Sequence, residues 1–405
     1  PGNSASGEYE VANSLRFEEA STDSLEYDQS TPTNAKIFTI SIWAKLKEHP
    51  NGNSQELFAG GTDGSNETFL RYTSNETLQF RHDHSSDTNW QLQTTQKFRD
   101  PSAWYHFVAA VDTTQGTASN RAKLYVNGSQ ITDLSTENYP AQNEETFLNK
   151  ASATVKIGQQ AYANSGWFSG YMCEMVFIDG QALDPTSFGE FDSNTNIWKP
   201  IDVSGLTFGT NGFYLNVPGP STGQNANGMG GDSSGNDNHF ASSGLSAVDR
   251  VTDTCTNNFA TFNPLLNNWT AMTEGNLKVT NTSQAYRDAF STVALKNGKW
   301  YVECRIDTEI GGTYPIFGIA DASQYSYPAQ VNLLGRSSLG WGFQTDGNYY
   351  NNNADAGNWS TLDNGDIIGF YLDLDSSQNT LKVYKNGSSE LSLNISDPVD
   401  GYYFG

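Results

Sequence analysis

Cysteine is scarce. Cys173, Cys255 and Cys304 are the only three in 405 residues, and an odd, sparse set is not a disulfide framework. With no secretory leader at Pro1-Gly2-Asn3, the expectation is folding in a reducing cytosol. Positive charge is also short: 22 Lys and Arg stand against 45 Asp and Glu, a formal net charge of −23. Phosphate binding needs clustered basic residues, so neither nucleic acid nor an anionic membrane surface is an expected partner. No apolar run approaches the roughly 18 residues of a membrane-spanning helix. Helical periodicity is missing too, since no long stretch repeats apolar residues at i, i+3, i+4 and i+7.

Turn formers, aromatics and period-2 alternation are abundant. Gly numbers 38 and aromatics make up 13% of the chain, a content that argues against disorder. In 37–46 (IFTISIWAKL), Phe38, Ile40, Ile42, Ala44 and Leu46 share one face, with Thr39, Ser41 and Lys45 opposite. In 104–112, Tyr105, Phe107, Ala109 and Val111 alternate with His106 and Asp112. In 300–306, Trp300, Val302, Cys304 and Ile306 face inward while Tyr301, Glu303 and Arg305 face out, and 367–374 (IIGFYLDL) reads as a bulkier, central strand. Half-buried strands of this kind predict an all-β chain of antiparallel sheets packed face to face. KLYVNGSQ at 123–130 and KVYKNGSS at 382–389 each place Asn-Gly after a strand, the chemistry of a type I′ hairpin. The domain reading is an N-terminal tail at 1–11, a sandwich at 12–192, a connector with short strands at 193–264 and a second sandwich at 265–405. Residues 217–238 (VPGPSTGQNANGMGGDSSGNDN) mark the connector by their Gly, Pro, Ser and Asn content.

Resemblance adds names to this outline. FTISIWAKL (38–46), AWYHFVAAVD with KLYVNGSQI (103–112, 123–131), and KIGQQ with FSGYMCEMVFIDGQALDP (156–160, 168–185) resemble the laminin-G/pentraxin-like family of concanavalin A-type jelly rolls. NGKWYVECRI (297–306), FGIAD (317–321), LGWGFQTDG (339–347) and NGDIIGFYLDLDSSQNTLKVYKNG (364–387) resemble a SPRY domain. By that pattern the second sandwich lacks its last strand after GYYFG. The pair of domains, the GFYLN and DSSGNDNHF blocks and the TDTCTNNFATFNPL stretch resemble structural and fibre proteins of tailed bacteriophages, especially marine ones. The resemblance implies a virion protein made in the host bacterial cytoplasm. Its partners would be other virion proteins and a host-surface glycan or protein, and it would be a homo-oligomer, a trimer if it follows fibres as a class.

Candidate sites follow from residue chemistry. Glycoside hydrolysis needs two carboxylates across one bond. Glu174 and Asp179 have odd spacing and so opposite faces, while Asp373 and Asp375 share a face but sit where Asp forms turns. The expectation is a protein that is not an enzyme. His82 and His84, with Asp83 and Asp87, offer a metal-like spacing whose plainer reading is a polar hairpin tip. No cofactor motif is present, though Asp232, Asn236 and Asn238 offer oxygen ligands for Ca²⁺ in place of a solvated turn. Ligand binding points to 346–359 (DGNYYNNNADAGNW), where Tyr349, Tyr350 and Trp359 stand among Asn352 and Asp355. Exposed rings would suit the C–H face of a sugar, and the competing reading packs those rings inward. Tyr162 and Asn164, near Trp167, form a second candidate. The expected function is host-surface recognition from a tail or head fibre, with a purely architectural subunit and a polysaccharide hydrolase as alternatives.

Overall fold

The computed structural model describes residues 9–47, 52–85, 89–266, 271–280, 288–308, 314–324 and 334–405. It is all-β, with no α-helix among the described residues and hence none long and apolar enough to cross a membrane. The chain divides into two compact units, Pro1–Phe259 and Ala260–Gly405.

Unit 1 is a sandwich of two antiparallel sheets. Sheet A runs, in spatial order, Ser129–Gln130, Ala122–Val126, Trp104–Asp112, Ile37–Leu46, Gly170–Asp179, Ser14–Phe17 and Arg250–Val251, with Phe213–Leu215 also pairing with Gly170–Asp179. Sheet B runs Leu134–Asn138, Trp90–Lys97, Thr77–Asp83, Asn66–Tyr72, Gln55–Asp63, Thr154–Ile157, Ser24–Asp28 and Ala241–Ser243. The alternation in 37–46 and 104–112 sends Phe38, Ile40, Ile42, Phe107, Ala109 and Val111 between the sheets. There they meet Phe58, Leu70, Phe80 and Trp90 from sheet B. Phe38, Phe177, Phe58 and Phe213 form a ring stack through this core, with centroids 5.5–6.2 Å apart. Burying each such ring contributes roughly 1.5–3 kcal/mol.

The opposite face of sheet A is also buried, which the alternation alone does not show. Thr39, Ser41, Trp43, Lys45 and His106 are all inaccessible to solvent or nearly so. Residues 185–259, mostly the stretch read as a connector, cover them. Phe188, Val203, Phe208 and Tyr214 pack on Val108, Val176 and Ile178, and Trp198 packs with Trp43, Trp104 and Tyr171. Buried polar groups beneath this cover are matched. Trp198 Nε1 donates to His106 Nδ1 at 2.9 Å, which leaves His106 Nε2 as the donor to Ser41 Oγ at 2.8 Å. Burial drives the His106 pKa down to about 3, so the ring stays neutral. Lys45 Nζ pairs with Asp253 at 2.9 Å and also donates to Asn258 Oδ1 and the Phe259 carbonyl. Residues 193–259 therefore complete unit 1: three of their short strands join sheets A and B.

Unit 2 holds a four-stranded sheet C and a five-stranded sheet D. Sheet C is Lys299–Arg305, Ile367–Asp373, Thr380–Lys385 and Ser388–Asn394. Sheet D is Ala354–Asn358, Asn348–Asn351, Gly340–Gln344, Ile316–Asp321 and Tyr402–Phe404. Tyr402–Phe404 pairs with Ile316–Asp321 as the outer strand of sheet D. Both Asn-Gly turns take positive φ at both central residues, 46° and 80° at Asn127-Gly128, 48° and 79° at Asn386-Gly387, as a type I′ hairpin demands.

Candidate functional site

The outer face of sheet B carries a row of partnered polar side chains on neighbouring strands. Period 2 puts Glu67, Phe69 and Arg71 on one side of strand Asn66–Tyr72, and Thr77, Gln79, Arg81 and Asp83 on the same side of Thr77–Asp83. Gln91 and Gln93 continue it on Trp90–Lys97. Register aligns them: Arg71 is opposite Gln79, and Gln79 is opposite Gln93. Arg71 Nε donates to Gln79 Oε1 at 2.7 Å, and Gln79 Nε2 donates to Gln93 Oε1 at 2.9 Å. Gln91 Nε2 reaches the same Gln93 oxygen at 2.9 Å, and Gln93 Nε2 donates to Thr77 Oγ1 at 3.0 Å. The chain of bonds fixes which end of each amide points where. Gln79 is buried, while half-exposed Gln91 and Gln93 keep a spare N–H each and Gln91 its carbonyl oxygen, capacity that suits hydroxyl groups. Thr95, two residues beyond Gln93 on the same strand, lines an open groove of about 370 Å³ with Gln96, Ser129, Gln130, Thr132 and Asp133.

At the other side of this face lie two buried carboxyls. Glu56 is 3.5 Å from Arg71 Nη1, and Glu67 accepts from Gln160 Nε2 at 2.7 Å. Each has a second oxygen, Oε2, with no hydrogen-bond partner among the described residues. Burial raises the Glu56 pKa to about 8 against the pull of Arg71, and Glu67 is raised by burial as well. The segment 158–167 borders them. Gly166 accepts from the Glu56 backbone N–H, Ser165 Oγ donates to Gln160 Oε1, and Ala161 packs on Ala59 and Phe69. Tyr162 stands at this rim, 45% exposed, with its ring against Gly61. A Cβ on Gly61 would sit 3.1 Å from the ring edge. Asn164 is exposed and accepts from Gln159 Nε2 at 3.4 Å, and Trp167 is half-buried. The fold thus sets Tyr162 over strand Gln55–Asp63 of the sheet that carries the amide row. Sequence reasoning passed over Glu56, Glu67, Gln79, Gln91 and Gln93, although the alternation in TLQFRHD and WQLQTTQK carried the signal.

The candidate at 346–359 takes a different form. It is a hairpin, Asn348–Asn351 with Ala354–Asn358, turned by Asn352 and Asn353 at φ 52° and 59°. Tyr349 stacks on Phe343 at 5.6 Å, and Trp359 meets Phe343 edge-on at 5.8 Å while its Nε1 donates to the Gln344 carbonyl. Both therefore pack against the core of unit 2. Tyr350 is half-buried, with its hydroxyl donating to Gln344 Oε1 at 3.2 Å. Asn352 is an exposed turn residue, and exposed Asp355 accepts from the Gly357 N–H.

The calcium candidates brace a loop. Asp232 accepts from the backbone N–H groups of Tyr214, Ser234 and Asn238 and from Ser234 Oγ. Asn236 and Asn238 each donate Nδ2 to the Gly212 carbonyl, and Asn238 Oδ1 accepts from Tyr27. His82 lies between Trp90 and Phe147, with His84 stacked on Phe147. Asp87 lies outside the described residues. Among the described residues no group of three His, Cys, Asp or Glu is placed to hold a metal. The four carboxylates weighed for hydrolysis are held by donors. Glu174 takes the hydroxyls of Tyr9 and Tyr214, and Asp179 takes the backbone N–H groups of Thr33, Asn34 and Asn211. Asp373 caps Asp375 and Ser376, and Asp375 takes the Gly298 N–H.

Against this geometry, residues 19–186 match the family model described as Concanavalin A-like lectin/glucanases superfamily. This stretch is a laminin-G/concanavalin A-like lectin domain. The lectin domain contains nearly all of sheet B and the whole amide row. Among solved structures the chain is similar to the heptameric SAP-like pentraxin of Limulus polyphemus, at 19% identity over 43% of this chain and 79% of that one, TM-score 0.33. It is also similar to the CBM40 of the Ruminococcus gnavus IT-sialidase, solved bound to α2,3-sialyllactose, at 17% identity over 39% of this chain and 87% of that one, TM-score 0.29. A third similarity is to the SPRY domain of human HERC1, at 19% identity over 35% of this chain and 86% of that one, TM-score 0.30. No curated protein matches the chain in sequence.

Proposed function

We propose that the lectin domain binds a glycan on the outer face of sheet B without cleaving it, and that the protein serves on a tail or head fibre of a tailed-phage virion. The observation that carries the binding reading is the hydrogen-bonded row Arg71–Gln79–Gln93–Gln91, oriented amides on rigid strands with Tyr162 at the rim. The virion placement rests on the GFYLN, DSSGNDNHF and TDTCTNNFATFNPL blocks of the sequence. Made in the host cytoplasm and displayed as a homo-oligomer, such a domain multiplies a weak single site by avidity.

Retention of the purified protein on host cells and on a glycan array tests this. The Q91A/Q93A pair, the two half-exposed amides of the row, is expected to weaken glycan binding by roughly tenfold, from two lost hydrogen bonds of about 0.5–1.5 kcal/mol each. Tyr162→Ala weakens it further by removing the rim ring. Undiminished retention by the correctly folded pair variant would refute the site. A second reading, an architectural subunit that contacts only other virion proteins, draws on the exposed Tyr301 beside Tyr384 on sheet C. Binding to virion proteins with no glycan or cell retention would favour it.

A further inference from the structure

The fold brings together two of the three cysteines. Cys173 lies on strand Gly170–Asp179, immediately before a bulge where Glu174 takes a φ of 48°. Cys255 lies on the strap, residues 250–259, that crosses the outer face of sheet A. Their Sγ atoms are 3.7 Å apart across 82 residues of chain. Cys173 is fully buried with Val11, Trp43 and Tyr171, and Cys255 is half-buried at the margin of the same cluster. Contacts on both sides of Cys255 hold it in place. Asp253 binds Lys45 Nζ at 2.9 Å and Trp104 Nε1 at 3.2 Å, and its carbonyl accepts from Ser14 Oγ. Thr256 Oγ1 accepts from the Val11 N–H at 3.0 Å. The approach of the two sulfurs is thus built into the packing. Among the described residues no third metal-ligating side chain is grouped with the pair, and the chemistry two adjacent thiols offer is thiol–disulfide exchange.

We propose that Cys173 and Cys255 form a cystine site, closed by a small-molecule disulfide of the oxidised-glutathione type. The more accessible Cys255, as thiolate, attacks one sulfur of the small disulfide. That S–S bond breaks, and one small thiolate leaves and takes up the proton Cys255 gave away. Cys173, deprotonated in turn, attacks the Cys255 sulfur of the mixed disulfide and expels the second small thiolate, which takes up the Cys173 proton. Two protein thiols are oxidised by two electrons to one disulfide, and one small disulfide is reduced to two thiols. The sulfurs close from 3.7 Å to about 2.05 Å. Burial, the Cys173 thiol and Glu174 push the Cys255 thiol well above its ordinary range, so closure is slow at neutral pH. The product ties the strap to the middle of sheet A.

The test incubates the reduced, full-length protein with oxidised glutathione, then denatures, alkylates and digests it. The expected result is one alkylated cysteine, Cys304, a linked peptide pair containing Cys173 and Cys255, and a rise of several degrees in the unfolding temperature of unit 1. Dithiothreitol reverses the shift. Cys255→Ser, a change at the margin of the cluster, abolishes both the link and the shift, and Cys173→Ala does the same if it folds. Three alkylated cysteines after prolonged incubation, a stable glutathione adduct at Cys255, or a link through Cys304 would each overturn the proposal.

Discussion

Sheet A and sheet C are built from strands with the same alternation, and their outer faces end in opposite states. In sheet A the row Thr39, Ser41, Trp43, Lys45 is buried beneath residues 185–259. In sheet C the row Tyr301, Glu303, Arg305 is exposed, with Tyr301 donating to Glu303 at 2.6 Å and Arg305 paired to Asp307 at 2.7 Å. Alternation within a strand decides which side meets the core. Whether the other side is also covered depends on apolar anchors far away in sequence, here Phe188, Trp198 and Phe208. A polar residue under such cover needs a dedicated partner; one in the open does not.

The largest test of this contrast removes a partner from each face. Asp253→Ala leaves the Lys45 ammonium buried without its counter-charge, and unit 1 is expected to lose about 3–5 kcal/mol. Lys299→Ala, which breaks a 3.3 Å pair with Asp373 at an exposed edge of sheet C, is expected to leave the unit 2 midpoint unchanged. Urea unfolding of the full chain reads both, and equal effects would break the comparison.

Next come the matched hairpins. Gly387→Ala strains only a backbone at φ 79°, with open space around the new Cβ, and is expected to cost about 1–2 kcal/mol. Gly128→Ala also places its Cβ against the Trp198 ring, adding roughly 1–3 kcal/mol of overpacking. If both cost the same, Trp198 is not a fixed cover.

The last test is in pH. Burial raises the carboxyls of Glu56 to about 8 and of Asp23 and Glu174 to about 7. The unfolded chain releases those protons near its ordinary values, so unit 1 loses stability as pH rises from about 4.5 to 8. His106 acts the other way. Its lowered pKa favours unit 1 as pH rises from about 3 to 6.5, where one such group changes stability by at most about 1.4 kcal/mol per unit. The carboxyls outnumber it and act unopposed above about 6.5. In unit 2, Asp321, Asp366 and Asp373 are lowered and act only in acid. Thermal unfolding at pH 5.5 and 8 should therefore move the unit 1 midpoint down and leave that of unit 2 in place. Glu56→Gln should flatten the unit 1 slope, and a slope that persists unchanged would contradict this assignment.

Legibility in the sequence tracks the same division. The core faces of 37–46 and 300–306 and both Asn-Gly turns could be read directly, because period and turn chemistry are local. The order of 217–238 could not. It rests on only two buried apolar anchors, Val217 and Met229, and on Asp232, Asn236 and Asn238 bonding to backbone groups, which leaves no periodic trace. In 346–359 the run of Asn hides a tight turn at Asn352-Asn353 that carries Tyr349 back over Phe343. The amide row escaped notice because glutamine does not titrate and its partners lie on neighbouring strands.

The pairing of Ser14 with Val251 and Leu15 with Arg250 has a mechanical consequence. The chain enters and leaves unit 1 side by side on two antiparallel strands. Tension applied between those two points loads the pair from one end, so its bonds open in succession, as in a zipper. A covalent link from Cys255 to Cys173 would carry the load past that seam to Gly170–Asp179. That strand is held between Ser14–Phe17 and Ile37–Leu46, so the load would reach the interior of sheet A and not stop at its edge strand.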